Sequence, residues 1–313
     1  MKRFITMSAA ILITSGLALA QYGGQPSSTP GQNSGGQSAP AAGQTPAAGQ
    51  QAQPANKQPQ AKTQDEYKAF MDAVQKPTPS DAEQAAREFE IKYPDSELTS
   101  LLFYQVMSQY QKADNAEKTI EMGRKAIQHD PDNTAALILT GMVLAERTRD
   151  SDIDRDEKLA EAQKDVTKAL ENAQQGKFRL AANATPEQTE GFKNTVTYMA
   201  YAALGQIDLV KKDDAAAEQN LNKALAIPQG QQDALTWLRL SLALDHENKY
   251  QDALNAANKA VDLSASNPAV GNLAKIEQSR LKQLTAGGGT PAKQAGSQPV
   301  STTTPQTETV KPH

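Results

Sequence analysis

The chain has 313 residues, a formal net charge of −4 at pH 7, no cysteine and three histidines. The lack of cysteine excludes disulfides, thiolate zinc sites and a cysteine nucleophile, and three histidines leave little material for a catalytic or metal site. Residues 63–284 are more acidic than the whole chain because the flanking segments are net basic, so we expect no binding to nucleic acid or to an anionic membrane surface.

Residues 1–20 have the pattern of an export signal. Lys2 and Arg3 precede the apolar stretch Phe4–Leu19, and Ala18-Leu19-Ala20 has the small-x-small pattern of a cleavage site. We expect cleavage after residue 20, release into the periplasm or outside the cell, and no membrane insertion of the mature chain. The alternative is an uncleaved N-terminal segment that anchors the protein.

Two segments have compositions typical of disordered chain. Residues 21–62 are rich in Gln, Gly, Pro and Ala and contain no Val, Ile, Leu, Met, Phe or Trp. Of these six residue types, residues 285–313 contain only Val, at two positions. Such segments bury too little apolar surface to offset the entropy of ordering. The sequence therefore predicts a disordered linker, a folded middle and a disordered tail.

The middle of the chain is helical by its pattern and repeats itself. Apolar residues recur at three- and four-residue spacing, and residues 100–133 have the spacings of a 34-residue helix–turn–helix unit. Its marker positions return three more times. The large residues of the first helix are Phe103, Leu137, Tyr201 and Trp237, and the small residues of the second helix are Ala126, Ala169, Ala224 and Ala260.

These four copies resemble the tetratricopeptide repeat (TPR) family. The resemblance implies a right-handed, all-α solenoid of stacked helix–turn–helix repeats. Thr119, Gly123 and Asp208 depart from the family pattern, Gly123 standing where an aromatic residue is usual. The large first-helix residues are expected to pack beside the small second-helix residues, so the aromatic residues belong to the core rather than to a ligand site.

The repeats are flanked and interrupted by predictable segments. A helix pair over 63–99 precedes four repeats over 100–267, and a helix over 268–284 caps the array, with Lys275, Arg280 and Lys282 on a polar outer side. The alanine spacing places insertions near 147–156 and 174–190. In the second insertion Thr185, Pro186 and Gln188 predict the start of a lengthened helix.

The acidic insertion offers one metal-binding hypothesis. Asp150, Asp152, Asp154 and Glu161 have the spacing of ligands in a calcium-binding loop, but Arg155 stands where that loop needs glycine. The alternative is a solvated loop whose Asp residues cap the following helix. We favour the alternative and expect neither a metal nor any other cofactor.

Catalytic residues are not evident. His129 and His246 have no nucleophile motif beside them, and no phosphate-binding glycine loop is present. We therefore expect a non-catalytic protein.

The TPR resemblance implies that first-helix positions line a concave surface that binds a protein or peptide. These positions are mostly apolar or uncharged, which argues against a clamp for carboxylates and favours an apolar helix or extended segment. The alternative function is a cell-envelope assembly protein whose repeats self-associate. The predicted contact residues are Tyr104, Ser108, Gln111, Ile138, Met142, Gln206, Leu238, Arg239 and Leu242.

Overall fold

A computed structural model describes residues 59–180 and 183–286, so the predicted export signal lies outside the described residues, as do most of the linker and the tail. Within these ranges the chain forms twelve α-helices and no strand, and each helix packs mainly on its neighbours in the sequence. The prediction of an all-α, solenoid-like array is confirmed at this level. The helices are α1 (Gln64–Val74), α2 (Pro79–Lys92), α3 (Thr99–Lys112), α4 (Ala116–His129), α5 (Thr134–Arg147), α6 (Arg155–Gln174), α7 (Pro186–Lys211), α8 (Asp214–Leu225), α9 (Pro228–Gln231), α10 (Ala234–His246), α11 (Tyr250–Leu263) and α12 (Pro268–Ala286).

Most helices form consecutive pairs. The pairs are α1/α2, α3/α4, α5/α6, α7/α8 and α10/α11; we call the first member of each pair a first helix and the other a second helix. Helix α9 is a single turn between two pairs. Helix α12 follows a 3₁₀ turn, Ser264–Ser266, and has no second helix in the described part of the chain. It packs on both α10 and α11, as the first helix of a further pair would.

Side-chain caps fix where many of these helices begin. Thr185 accepts a hydrogen bond from the backbone N–H of Gln188, whose side chain accepts one from the backbone N–H of Thr185. This reciprocal capping box with Pro186 at the first position confirms the predicted start of the lengthened helix. The other helices whose N-cap side chain accepts from the backbone begin after Thr63, Thr78, Asn115, Asn133, Asp213, Asp233 and Asn267.

Small residues allow the helices to approach one another closely. The marker alanines 126, 169, 224 and 260 are all fully buried. A Cβ placed on Gly123 of α4 would lie 2.1 Å from Oγ1 of Thr140 on α5 and 2.9 Å from Cε of Met107 on α3. An aromatic side chain cannot occupy that space, which gives a physical reason for glycine at position 123.

The first and second helices are joined across pairs in different ways. First helices α5, α7, α10 and α12 pack directly on one another in series. Second helices are bridged by ion pairs between long side chains. These include Lys125–Glu90 at 2.9 Å, Arg124–Glu161 at 2.6 Å and, at the N-cap of α11, Lys249–Glu218 at 2.6 Å.

The ends of the ordered array differ slightly from the predicted boundaries. Pro59 is buried and Ala61 packs against the first core cluster, while Nζ of Lys62 donates to the carbonyl of Asp95 at 2.7 Å. The last residues of the predicted linker are therefore part of the fold. At the other end α12 continues to Ala286, slightly past the predicted boundary. None of the helices in 59–180 and 183–286 combines the length and apolar character needed to cross a bilayer.

The contact at Gly123 can be tested by adding one methyl group. Gly123→Ala forces a carbon atom into Thr140 and Met107, and we expect it to lower the free energy of unfolding by about 1–3 kcal/mol. Chemical denaturation followed by circular dichroism measures the change.

Gly191→Ala is the matched control because Gly191 is also helical and its added Cβ would have no neighbour within 4 Å. We expect this control to be neutral or to stabilise the protein by up to about 1 kcal/mol. Equal effects of the two substitutions would contradict the close approach of α4 and α5.

Candidate functional site

One side of the first helices repeats in register along the array. Met142 follows Ser108 by one repeat length, Ile276 follows Leu242 by the same interval, and Gln206 is at the corresponding place on α7. None of these five side chains is fully buried. We call the surface that they mark the first-helix face.

The structure divides the nine predicted contact residues into two groups. Seven remain at least partly accessible, with Tyr104, Ser108 and Gln111 on α3, Met142 on α5, Gln206 on α7, and Arg239 and Leu242 on α10. Ile138 is fully buried in the cluster with Val166 and Met199, and Leu238 is buried against α11 and α12. Neither Ile138 nor Leu238 offers a contact surface, because each is packed between its own helix and a neighbouring one.

The N-terminal end of the first-helix face is apolar and aromatic. Tyr67 of α1 and Leu101 of α3 occupy equivalent positions one repeat length apart and are both half-buried. Met71, Val74, Leu101 and Tyr104 all pack on the first core cluster while keeping part of their surface accessible. This end therefore offers apolar surface to an apolar segment.

The C-terminal end of the face contains two residues that the sequence analysis missed. Leu273 is 39 % exposed and Ile276 is 66 % exposed, and they follow Arg239 and Leu242 respectively by one repeat length. We expected α12 to have a polar outer side; Lys275, Arg280 and Lys282 are indeed exposed, but the two apolar residues are exposed as well. Extending the repeat register by one more helix would have identified both.

A charged pair lies in the middle of the face. Nη2 of Arg239 on α10 is 3.6 Å from Oε1 of Glu146 on α5, and the two side chains are 12 % and 26 % exposed. Burial raises the pKa of Glu146, an effect that the positive charge of Arg239 only partly offsets. Arg239 is thus held by a carboxylate of the same chain.

A hydrogen-bond network lies close to Arg239. Oη of Tyr198 donates to Oδ2 of Asp233 at 2.7 Å, and Asp233 also accepts from the backbone N–H groups of Leu235 and Thr236 at the start of α10. Burial and the charge of Asp233 raise the pKa of Tyr198, so this hydroxyl stays protonated and continues to donate. The network fixes the start of α10 against α7.

The carboxylates of the acidic insertion are paired with neighbouring cations. Arg155 lies 2.7 Å from Asp156 and 3.4 Å from Asp150, and Nζ of Lys158 contacts Asp152 at 3.2 Å and Asp154 at 2.9 Å. The remaining residue of the calcium hypothesis, Glu161, binds Arg124 through two hydrogen bonds of 2.6 Å. In the part of the chain that the structure describes, no three His, Asp or Glu side chains are grouped so that they could hold a metal ion.

The insertion also differs from our expectation for helix capping. Asp154 is the N-cap residue of α6, but its side chain makes no capping hydrogen bond. It pairs with Lys158 one turn later instead. The favourable charges at this helix start come from Asp156 and Glu157 in the first turn.

The two internal histidines connect neighbouring pairs of helices. A ring nitrogen of His129 on α4 lies 2.8 Å from Glu90 on α2, and the ring stacks on Phe103. A ring nitrogen of His246 on α10 lies 2.8 Å from Asp214 on α8. Both contacts join successive helix pairs, which gives each histidine a structural role.

Two buried carboxylates have pKa values that are shifted in opposite directions. Asp165 on α6 is 7 % exposed, and burial together with the negative charge of Glu161 raises its pKa to about 6. Burial also opposes ionisation of Glu83 on α2, but hydrogen bonds from Tyr110, Arg87 and Lys118 outweigh it and lower the pKa to about 2.

These shifts predict opposite effects of pH on stability. The folded state binds the proton of Asp165 more tightly than the unfolded state does, so ionised Asp165 destabilises the fold at neutral pH by up to about 3 kcal/mol. Asp165→Asn should therefore raise the free energy of unfolding at pH 7.5, and the gain should shrink as the pH falls through 6 toward 4. Urea denaturation at several pH values measures it.

Glu83→Gln serves as the opposite case. The folded state holds Glu83 ionised, so its contribution is complete above the ordinary carboxyl pKa and is lost as the pH falls toward 2. We expect Glu83→Gln to destabilise the protein at pH 7.5 and the loss to diminish in acid. A pH-independent effect of either substitution would argue against the corresponding shift.

No model of a known protein family matches the chain, and no curated protein is significantly similar to it.

Proposed function

We propose that this protein is an exported, non-catalytic scaffold of TPR-like repeats that binds a protein or peptide on the first-helix face. In this proposal the face is the concave side of a right-handed solenoid. The partner is an apolar helix or an extended segment, and binding requires neither a cofactor nor nucleic acid.

The observation that carries the proposal is the accessible apolar surface on helices that the fold already holds in place. Ile276 and Leu273 are two of only four large apolar side chains that are exposed in the described residues. Met142 and Leu242 continue the same register toward the middle of the array. A preformed surface loses little conformational entropy on binding, so a modest apolar area can give useful affinity.

The electrostatics of the array support a binding role over a catalytic one. The histidines are engaged in contacts between helix pairs, and Arg239 is paired with Glu146. Asp165 and Asp208, two carboxylates with raised pKa, are buried within the array, and Asp208 accepts a hydrogen bond from Asn220 at 2.7 Å. Their shifts are accounted for chiefly by burial, which is common for structural groups.

The proposal is tested with one substitution on the face and one away from it. Cross-linking in the native cell identifies a captured protein, and its affinity for the purified full chain is then measured by calorimetry. We expect Ile276→Asp to weaken binding at least about tenfold, since a charge would be buried in an apolar contact.

Ile91→Asp is the control because Ile91 is 81 % exposed on α2, outside the first-helix face. It should leave the affinity unchanged. Unchanged affinity of the Ile276→Asp variant would contradict the proposed site. A concentration-dependent oligomer in light scattering, with no heterologous protein captured, would favour the self-association alternative.

A further inference from the structure

Glu146 and Arg239 join two helices that are not neighbours in the array. Glu146 lies near the end of α5 and Arg239 lies in the middle of α10, and the first helix between them is α7. Stacked helix repeats normally depend on contacts between adjacent units alone. A contact that passes over one unit links the positions of three successive first helices.

The middle of α7, the first helix between the two partners, carries small residues. Ala203 occupies on α7 the register position that Arg239 occupies on α10, and Ala202 precedes it. Both alanines are nearly buried, with 3 % and 4 % of their surface exposed. Glu146 and Arg239 are both long side chains, and they meet although α7 stands between their helices in the array.

Arg239 depends on this partner for its neutralisation. Its side chain is only 12 % exposed, and a charge that is largely removed from water is costly when it has no counter-ion. Among the ion pairs of the described residues, the one that involves Arg239 is its pair with Glu146. Separating α5 from α10 would thus leave Arg239 without the carboxylate that pairs with it.

We propose that the Glu146–Arg239 pair holds α5 and α10 at a fixed separation and so sets the curvature of the array and the width of the first-helix face. With the pair intact, the side chains of Glu146 and Arg239 bridge the middle of the face. With the pair broken, α5 and α10 move apart about α7 and the face widens. This behaviour is a property of the free protein and does not require the proposed binding function.

The test is a distance measurement between two spin labels on the full chain without any partner. The chain has no cysteine, so Gln128→Cys on α4 and Asn255→Cys on α11 introduce unique labelling sites at exposed positions. Helix α4 packs on α5 and helix α11 packs on α10, so the two labels follow the two helices that the pair joins. Pulsed electron paramagnetic resonance gives the distance distribution.

Glu146→Gln removes the charge and keeps the shape of the side chain. We expect it to shift the distance distribution and to broaden it. The matched control is Glu218→Gln, since the Glu218 side chain is 25 % exposed and pairs with Lys249 between adjacent second helices. This control should leave the distribution at its wild-type position.

A charge exchange distinguishes the pair from a general loss of packing. The double variant Glu146→Arg with Arg239→Glu keeps both charges and should restore the wild-type distribution. Circular dichroism verifies that each variant remains helical. A wild-type distribution for Glu146→Gln would overturn the proposal, as would a charge-exchange variant whose distribution stays shifted.

Discussion

The close approach of neighbouring helices is the constraint on which the rest of this structure depends. A single helix pair cannot bury its apolar side alone, so each pair must come near the next. Fully buried alanines on the second helices and Gly123 at the α4–α5 contact make that approach possible. Large side chains of the first helices, such as the buried Phe103 and Leu137, then fill the space beside them.

This way of burying apolar surface also decides where polar groups are found. The second helices are linked across pairs by ion pairs such as Lys125–Glu90 and Lys249–Glu218, which remain partly exposed. Exposed ion pairs contribute little stability individually. Each one joins residues of successive pairs, but the close packing of the helices, rather than any one of these exposed pairs, keeps the stack aligned.

The first helices have the opposite character, and this contrast bears on function. Their accessible side is apolar at both ends, with Tyr67 and Leu101 at one end and Leu273 and Ile276 at the other. In the middle it carries the Glu146–Arg239 pair, whose arginine is more buried than the cations of the second-helix pairs named above. A partner that follows the whole face would meet apolar surface, then a partly buried ion pair, then apolar surface again. The ion pair would discourage segments that cannot replace its interactions.

The repeat pattern, the all-helical fold and the start of α7 at Thr185 could be predicted from the sequence because they depend on local chemistry. Apolar spacing reports which residues face inward, and a capping box involves residues only three apart. The same pattern placed Ile138 and Leu238 on the accessible face, although neighbouring helices cover both. It also treated α12 as a polar cap, although Leu273 and Ile276 are exposed there.

What the sequence by itself determined is the unit: a helix pair, its caps and its small residues. Only the tertiary structure decided which residues stay accessible and that Glu146 meets Arg239 across α7, because these depend on how far each pair rotates against the next, and that rotation arises from packing between residues distant in the chain.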